Sequence, residues 1–305
     1  MKYIWKQSLT LSAVFALILI AGNIFAEEFQ FDYQKTIDIQ KPTLVNLELV
    51  KGNVTVIGTD ENQIVIEAKK IIRASNRDEA EEFGGHIEIK IKQDGAKIFV
   101  QTNDLDLLNR KPSFWQKIPG GGSNVISDVS YKIMLPFNCG ISLKAMDADV
   151  ELTNVENPVF VEKSTGRVKS EFIIGPVSIV QAKGDIDLQW IEGDIQINTQ
   201  SCNVAIRQTR GALKLSSYNG NVDIQTELDS PGEFSVETMT GNIAFAVPFT
   251  AAGALEIATE SGHISSQIPV EIKSLERNRI IGTFGGGGAK VRLNSNSGSV
   301  ILAQF

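Results

Sequence analysis

Residues 184–224 read GDIDLQWIE, GDIQINTQS, CNVAIRQTR, GALKLSSYN and GNVDI when cut into blocks of nine. Gly184, Gly193, Cys202, Gly211 and Gly220 open the blocks. In every block the residues at +2 and +4 are apolar: Ile186 and Leu188, Ile195 and Ile197, Val204 and Ile206, Leu213 and Leu215, Val222 and Ile224. A spacing of two puts both side chains on one face of a strand, with the residue between them pointing outward. The glycine suits a tight corner because it accepts positive φ at no steric cost. Asp or Asn often follows, as at Asp185, Asp194, Asn203, Asn221 and Asn242. These residues tolerate turn conformations and bond nearby backbone.

Extended outward, the corner positions form two interleaved series. One runs Ala148, Gly166, Gly184, Cys202, Gly220 in steps of 18, then Gly241 and Gly262 in steps of 21. The other runs Cys139, Asn157, Gly175, Gly193, Gly211 in steps of 18, then Gly232 and Gly253. Apolar pairs accompany them from Ile141 and Leu143 to Val300 and Leu302, and the pattern breaks at Ser170 and Ser266. A strand and a corner repeated this way cannot enclose a core alone, so stacked copies must bury it together. The expected fold is all-β: a parallel β-solenoid with about 18–21 residues per coil. An antiparallel meander has similar strand spacing. The even step held over five positions in both series favours the solenoid.

The rest of the chain divides around this region. Residues 1–26 read as a signal peptide, with Lys2 and Lys6 ahead of the apolar run Leu9 to Ala21 and Ala26 at the cleavage point. That run is short for a spanning helix, and no later segment is long enough to cross a bilayer. Removing the leader leaves 27 basic and 36 acidic residues, a net charge of −9. Residues 27–138 do not keep the 18-residue register and are expected to form a β-rich capping region before the solenoid at 139–305. Within it Leu44 to Val50 and Val54 to Ile57 read as a pair turned at Gly52-Asn53. Arg77 to Phe83 reads as a short helix, Ile87 to Ile91 and Ile98 to Gln101 as a hairpin, and Tyr131 to Leu135 as a strand. The stretch 105–127, with Trp115 and Gly120 to Gly122, reads as a long loop.

Composition bounds the chemistry. The chain has 305 residues, 42% hydrophobic, with a net charge of −7, 2 His and 2 Cys. That length supports a substantial core. The acidic balance argues against nucleic acid as a partner. The scarcity of His and Cys argues against structural zinc and a disulfide framework. Cys139 and Cys202 fall on opposite corner series, three and a half coils apart, so two free thiols are expected. Asp185, Asp187, Asp194 and Asp223 raise the possibility of paired carboxylates for sugar hydrolysis. Asp187 and Asp223 share the outward column Glu151, Lys169, Asp187, Ala205, Asp223, Ala244, Ser265. Solvated strand positions are the plainer reading, with Lys169 pairing Glu151 and Asp187. Calcium needs two glycines and an Asp per nonapeptide, which these repeats lack. His86 and His263 have no ligand partner at metal spacing. Trp115 and Trp190 suit core or lid packing, or stacking on a sugar ring or partner.

The turns Thr240-Gly241-Asn242-Ile243, Ser261-Gly262-His263-Ile264 and Ser297-Gly298-Ser299-Val300 resemble those of the bacterial "putative adhesin" family of exported β-repeat domains of unknown function. The glycine-rich stretch 281–289 and Val45 to Val56 are similar to that family's last repeat and opening strand pair. The likeness spans most of 43–305, with Ala148 and Cys202 departing from the corner pattern. It implies an exported repetitive β protein and no catalytic residues. The reading is therefore an adhesin-like or envelope-associated binding protein, periplasmic, secreted or at the cell surface. It has no catalytic activity, no cofactor, no metal, and an unidentified protein or polysaccharide ligand. The alternatives are a polysaccharide lyase or hydrolase on a β-helix, and a structural spacer of the envelope.

Overall fold

The computed structural model describes residues 27–103, 126–229 and 231–305. Residues 1–26, Trp115 and nearly all of the 105–127 stretch lie outside the described residues. The chain opens with β1 (Glu27–Asp38), β2 (Leu44–Thr59), β3 (Gln63–Ala74) and helix α1 (Arg77–His86). β4 (Glu88–Asp94) and β5 (Lys97–Asn103) form the expected antiparallel hairpin, and β6 (Ile126–Pro136) precedes the long β7 (Gly140–Val155).

Two parallel sheets then grow from β7. Its first half pairs with β8 (Val159–Thr165), followed by β10 (Val177–Lys183), β12 (Ile195–Ser201), β14 (Leu213–Asn219) and β16 (Glu233–Thr240). Its second half pairs with β9 (Val168–Ile174), followed by β11 (Ile186–Glu192), β13 (Val204–Arg210), β15 (Val222–Thr226) and β17 (Ile243–Val247). This is the solenoid the spacing predicts, two strands per coil. The apolar pairs from both sheets meet inside, with Ile141, Ile179, Leu188, Ile197, Ile206, Leu215 and Ile224 fully buried.

The corners explain the glycine ruler. A Cβ on Gly220 (φ +133°) would lie 1.9 Å from the Cys202 carbonyl oxygen, and one on Gly184 2.0 Å from that of Gly166. Consecutive corners stack too closely for a side chain at that backbone angle. Ala148 and Cys202 occupy the same column without left-handed φ, so their Cβ atoms are accommodated. A ladder of side chains ties the corners together. The backbone N–H of Asn221 donates to Oδ1 of Asn203 (3.1 Å), that of Asn242 to Asn221 (3.0 Å), and that of Ser299 to Asn242 (2.9 Å). Inside the same corner a buried polar column, Lys163, Gln181, Thr199, Ser217, Thr238, Ser295 and Thr259, replaces the apolar pattern. Lys163 Nζ donates to the Ala148 carbonyl (2.8 Å), Gln181 Nε2 to that of Gly166 (2.9 Å) and Ser295 Oγ to that of Gly241 (2.8 Å). Carbonyls turned inward are thereby satisfied.

Two expectations are corrected. Gly52-Asn53 does not close a hairpin: β2 turns a solenoid corner there, and both its halves run parallel to β7, with Gly52 beside Ala148. The 27–138 region thus supplies coils as well as caps. β5 and β6 stack in parallel on the two halves of β2. Antiparallel β4 covers β5, while β3 and then β1 cover β6.

The second correction concerns the order of the last coils. Gly262 does not follow Gly241 in space. β18 (Gly253–Thr259) and β19 (Ile264–Ser266) form the outermost coil. β21 (Arg279–Phe284) lies antiparallel beside β18, and β20 (Glu271–Glu276) pairs antiparallel with the other edge of β21. The chain's last strands, β22 (Ala289–Ser297) and β23 (Val300–Gln304), slot in between: β22 lies between β16 and β18, and β23 between β17 and β19. Gly285 to Gly288 all have positive φ and carry the chain over the start of β18, so that Phe284 and Ala289 both flank Gly253.

Candidate functional site

The regular strands point residues inward at every second position, as in Val222, Ile224 and Thr226 of β15. Three strands of the second sheet break this alternation. β7, β9 and β11 bury Val155, Ile173 and Ile191 three positions after Leu152, Ser170 and Leu188. The extra residue in each is bulged outward with left-handed backbone: Asn154 (φ 58°), Phe172 (φ 57°) and Trp190 (φ 59°). They are 18 apart and stack in register, with Glu171 beside Gln189 and Ile173 beside Ile191. Bulges re-aim side chains and terminate regular pairing. Asn tolerates this conformation, whereas a bulky aromatic residue in it costs ~1–3 kcal/mol.

The bulges end at β13, where Gln208 faces Ile191 across a register shift. Gln208 and Thr226 then fill the interior in place of the aliphatics. Gln208 Nε2 donates to the carbonyls of Gly193 (2.8 Å) and Ala212 (3.1 Å), and Thr226 Oγ1 to Gln208 Oε1 (3.0 Å).

The outward side chains frame an open groove of about 470 Å³, lined by Phe137, Asn154, Phe172, Ile174, Trp190 and the rim residues Glu156, Glu192 and Thr209. Phe172 is 53% exposed and Trp190 50%. At the rim, Arg210 Nη1 bonds Glu192 Oε1 at 2.8 Å, and Thr209 Oγ1 donates to the Ile191 carbonyl. Trp190 was legible in the sequence. Asn154 and Phe172 become legible only from the slip in phase, with the third inward residue at +7 after the corner in place of +6.

The acids do not converge. Asp185 and Asp194 sit at opposite corners, where Asp185 Oδ1 accepts from Asn203 Nδ2 (3.2 Å) and Asp194 Oδ1 from the Ala212 backbone N–H (2.8 Å). Asp187 and Asp223 face outward on the second sheet with Ala205 between them, about 10 Å apart by strand spacing. Asp187 accepts from Gln189. Lys169 pairs with Glu151 at 3.8 Å and more closely with Glu171 at 2.9 Å. The column continues to Ala244, then meets Ile301 before Ser265. His86 ends α1, and His263 lies at the far corner, its backbone N–H on Ser299 Oγ. Among the described residues no group of three or more His, Cys, Asp or Glu could hold a metal ion, and no helix is long and apolar enough to cross a membrane. Cys139 and Cys202 are both free and buried, and burial pushes both thiols up from their ordinary pKa.

The family model described as Toastrack DUF4097 matches residues 45–303. The chain belongs to this family. Solved structures similar to this toastrack chain include a "putative adhesin" from Bacteroides fragilis, 12% identical, covering 90% of this chain and 97% of its own, with a TM-score of 0.47. A "putative adhesin" from Parabacteroides merdae is 9% identical over 89% of this chain and 95% of its own, TM-score 0.40. A "putative lipid binding protein" from Parabacteroides distasonis is 9% identical over 90% and 96%, TM-score 0.31. No curated protein sequence matches the toastrack chain.

Proposed function

We propose that this chain is an exported, non-catalytic binding protein of the cell envelope, and that its ligand meets the bulged edge of the second sheet. One observation supports the reading above the others. Three successive coils hold a left-handed residue outward at one place, and in two of them it is a strained, half-exposed aromatic. Strain kept at a surface position suggests use. A mere spacer has no need of it. A lyase or hydrolase calls for converging acids, and the four aspartates are spread over two corners and a sheet face.

The test is expression in the native host, followed by fractionation and capture of the purified mature chain on the host's envelope preparation. The mature protein is expected outside the cytoplasm with Glu27 as its first residue. Envelope capture is expected to fall on Trp190→Gly. Cytoplasmic retention, or undiminished capture by the variant, would overturn the reading. So would polysaccharide turnover that disappears on Asp187→Ala.

A further inference from the structure

We infer that the groove over β7, β9 and β11 binds an uncharged glycan, laid across the coils with its sugar rings against Phe172 and Trp190. The inference rests on the binding reading above and names the ligand's chemistry.

The spacing of the platforms comes first. Phe172 and Trp190 occupy equivalent places on adjacent coils, separated by the strand spacing of about 4.8 Å. At that spacing the two side chains share one apolar surface about as wide as a pyranose ring, and a chain laid along the solenoid axis keeps a ring over it. The stacked bulges aim both side chains to the same side of the sheet. Phe137 and Ile174 supply apolar surface beside them.

The rim decides the ligand's polarity. Glu156, Asn154 and Thr209 border the apolar floor. Glu156 makes no ion pair among the described residues, and the nearby cation, Arg210, is held by Glu192. An anionic ligand finds carboxylates and no spare positive charge. An acyl chain lying on the floor would strip water from those carboxylates and return no hydrogen bond. A pyranose matches both parts: its C–H face is apolar, and its hydroxyls can donate to Glu156 and to the Asn154 amide oxygen. Ligand sites of this kind pair an aromatic surface with a few placed polar groups.

The backbone supplies a clean variant. Glycine adopts φ near +58° without penalty, so Trp190→Gly and Phe172→Gly remove the rings while relieving the strained bulge. Capture of the mature chain would be measured on native envelopes, and on envelopes treated with periodate, with protease or with lipid-extracting solvent. Periodate, which cleaves sugar diols, is expected to abolish capture, whereas protease and solvent leave it intact. Glucose or N-acetylglucosamine hexamers linked β-1,4 are expected to compete and to shift Trp190 fluorescence. Each glycine variant should weaken binding about tenfold with an unchanged or higher melting temperature. Tyr218→Ala, at an exposed tyrosine on the other sheet, should bind normally.

Capture that survives periodate, or is lost on protease or solvent treatment, overturns the glycan. If capture still depends on Trp190 in that case, the envelope-binding reading stands without it. Capture indifferent to Trp190→Gly removes both.

Discussion

Lys163 is a cation inside a β core, 4% exposed, at a place where the next coils carry Gln181, Thr199 and Ser217. Burial lowers its pKa from the ordinary 10.5 to about 8, against the opposing pull of Asp149, Cys202 and Asp147. A lysine with a depressed pKa favours the neutral form in the fold. The cost of keeping it charged is present in full below pH 8 and is relieved as pH rises towards 10.5. Stability should therefore increase across that window, by up to about 3 kcal/mol for this one group. Lys163→Gln keeps a donor for the Ala148 carbonyl, as Gln181 does for Gly166. The variant is expected to melt higher at neutral pH and to lose the rise between pH 8 and 10.5, which unfolding curves against pH would show. A pH profile that Lys163→Gln leaves unchanged would contradict this account.

At the scale of the coil, the corners hold the molecule together through backbone contact. Gly220→Ala must push the corner of one coil off the carbonyl of the last, and at φ +133° the new side chain is strained as well. A loss of at least about 2–3 kcal/mol in chemical denaturation is expected. Asn221→Ala, which removes one rung of the side-chain ladder, should cost about 1 kcal/mol. The coils were legible because a period of 18 fixes both strand and corner in one pattern. The bulges were hidden by the same regularity, since an inserted residue is absorbed before the next corner and leaves the period unchanged. The hairpin expected at Gly52-Asn53 failed for a related reason. A turn dipeptide between two apolar runs has the same local chemistry whether the chain reverses or rounds a corner. Only the partner strand, β7, distinguishes the two.

At the scale of the whole molecule, the coils are not stacked in chain order. Every coil offers its neighbour the same alternating aliphatics, so nothing local to Gly241 states whether Gly262 or Gly298 comes next. The backbone ladder, passing from Asn242 to Ser299, records the order that was adopted. Removing residues 289–305 would take out a coil with neighbours on both sides, and would leave β18 and β19 facing a gap. Such a truncation is expected to lose two coils' worth of protection in hydrogen exchange, from β16 outward, while β7 to β13 stay protected. Loss confined to the deleted residues would count against the arrangement.

The inserted strands also set a clock on the molecule's making. A solenoid stacked in chain order can zip up behind the emerging chain, each coil settling on the one before. Here the coil at 253–266 is made before the strands it stacks on, and waits for residues 289–305 to arrive beneath it. Until β22 and β23 are in place, the coil of β16 and β17 displays an unmated sheet edge, the feature proteases and aggregates recognise.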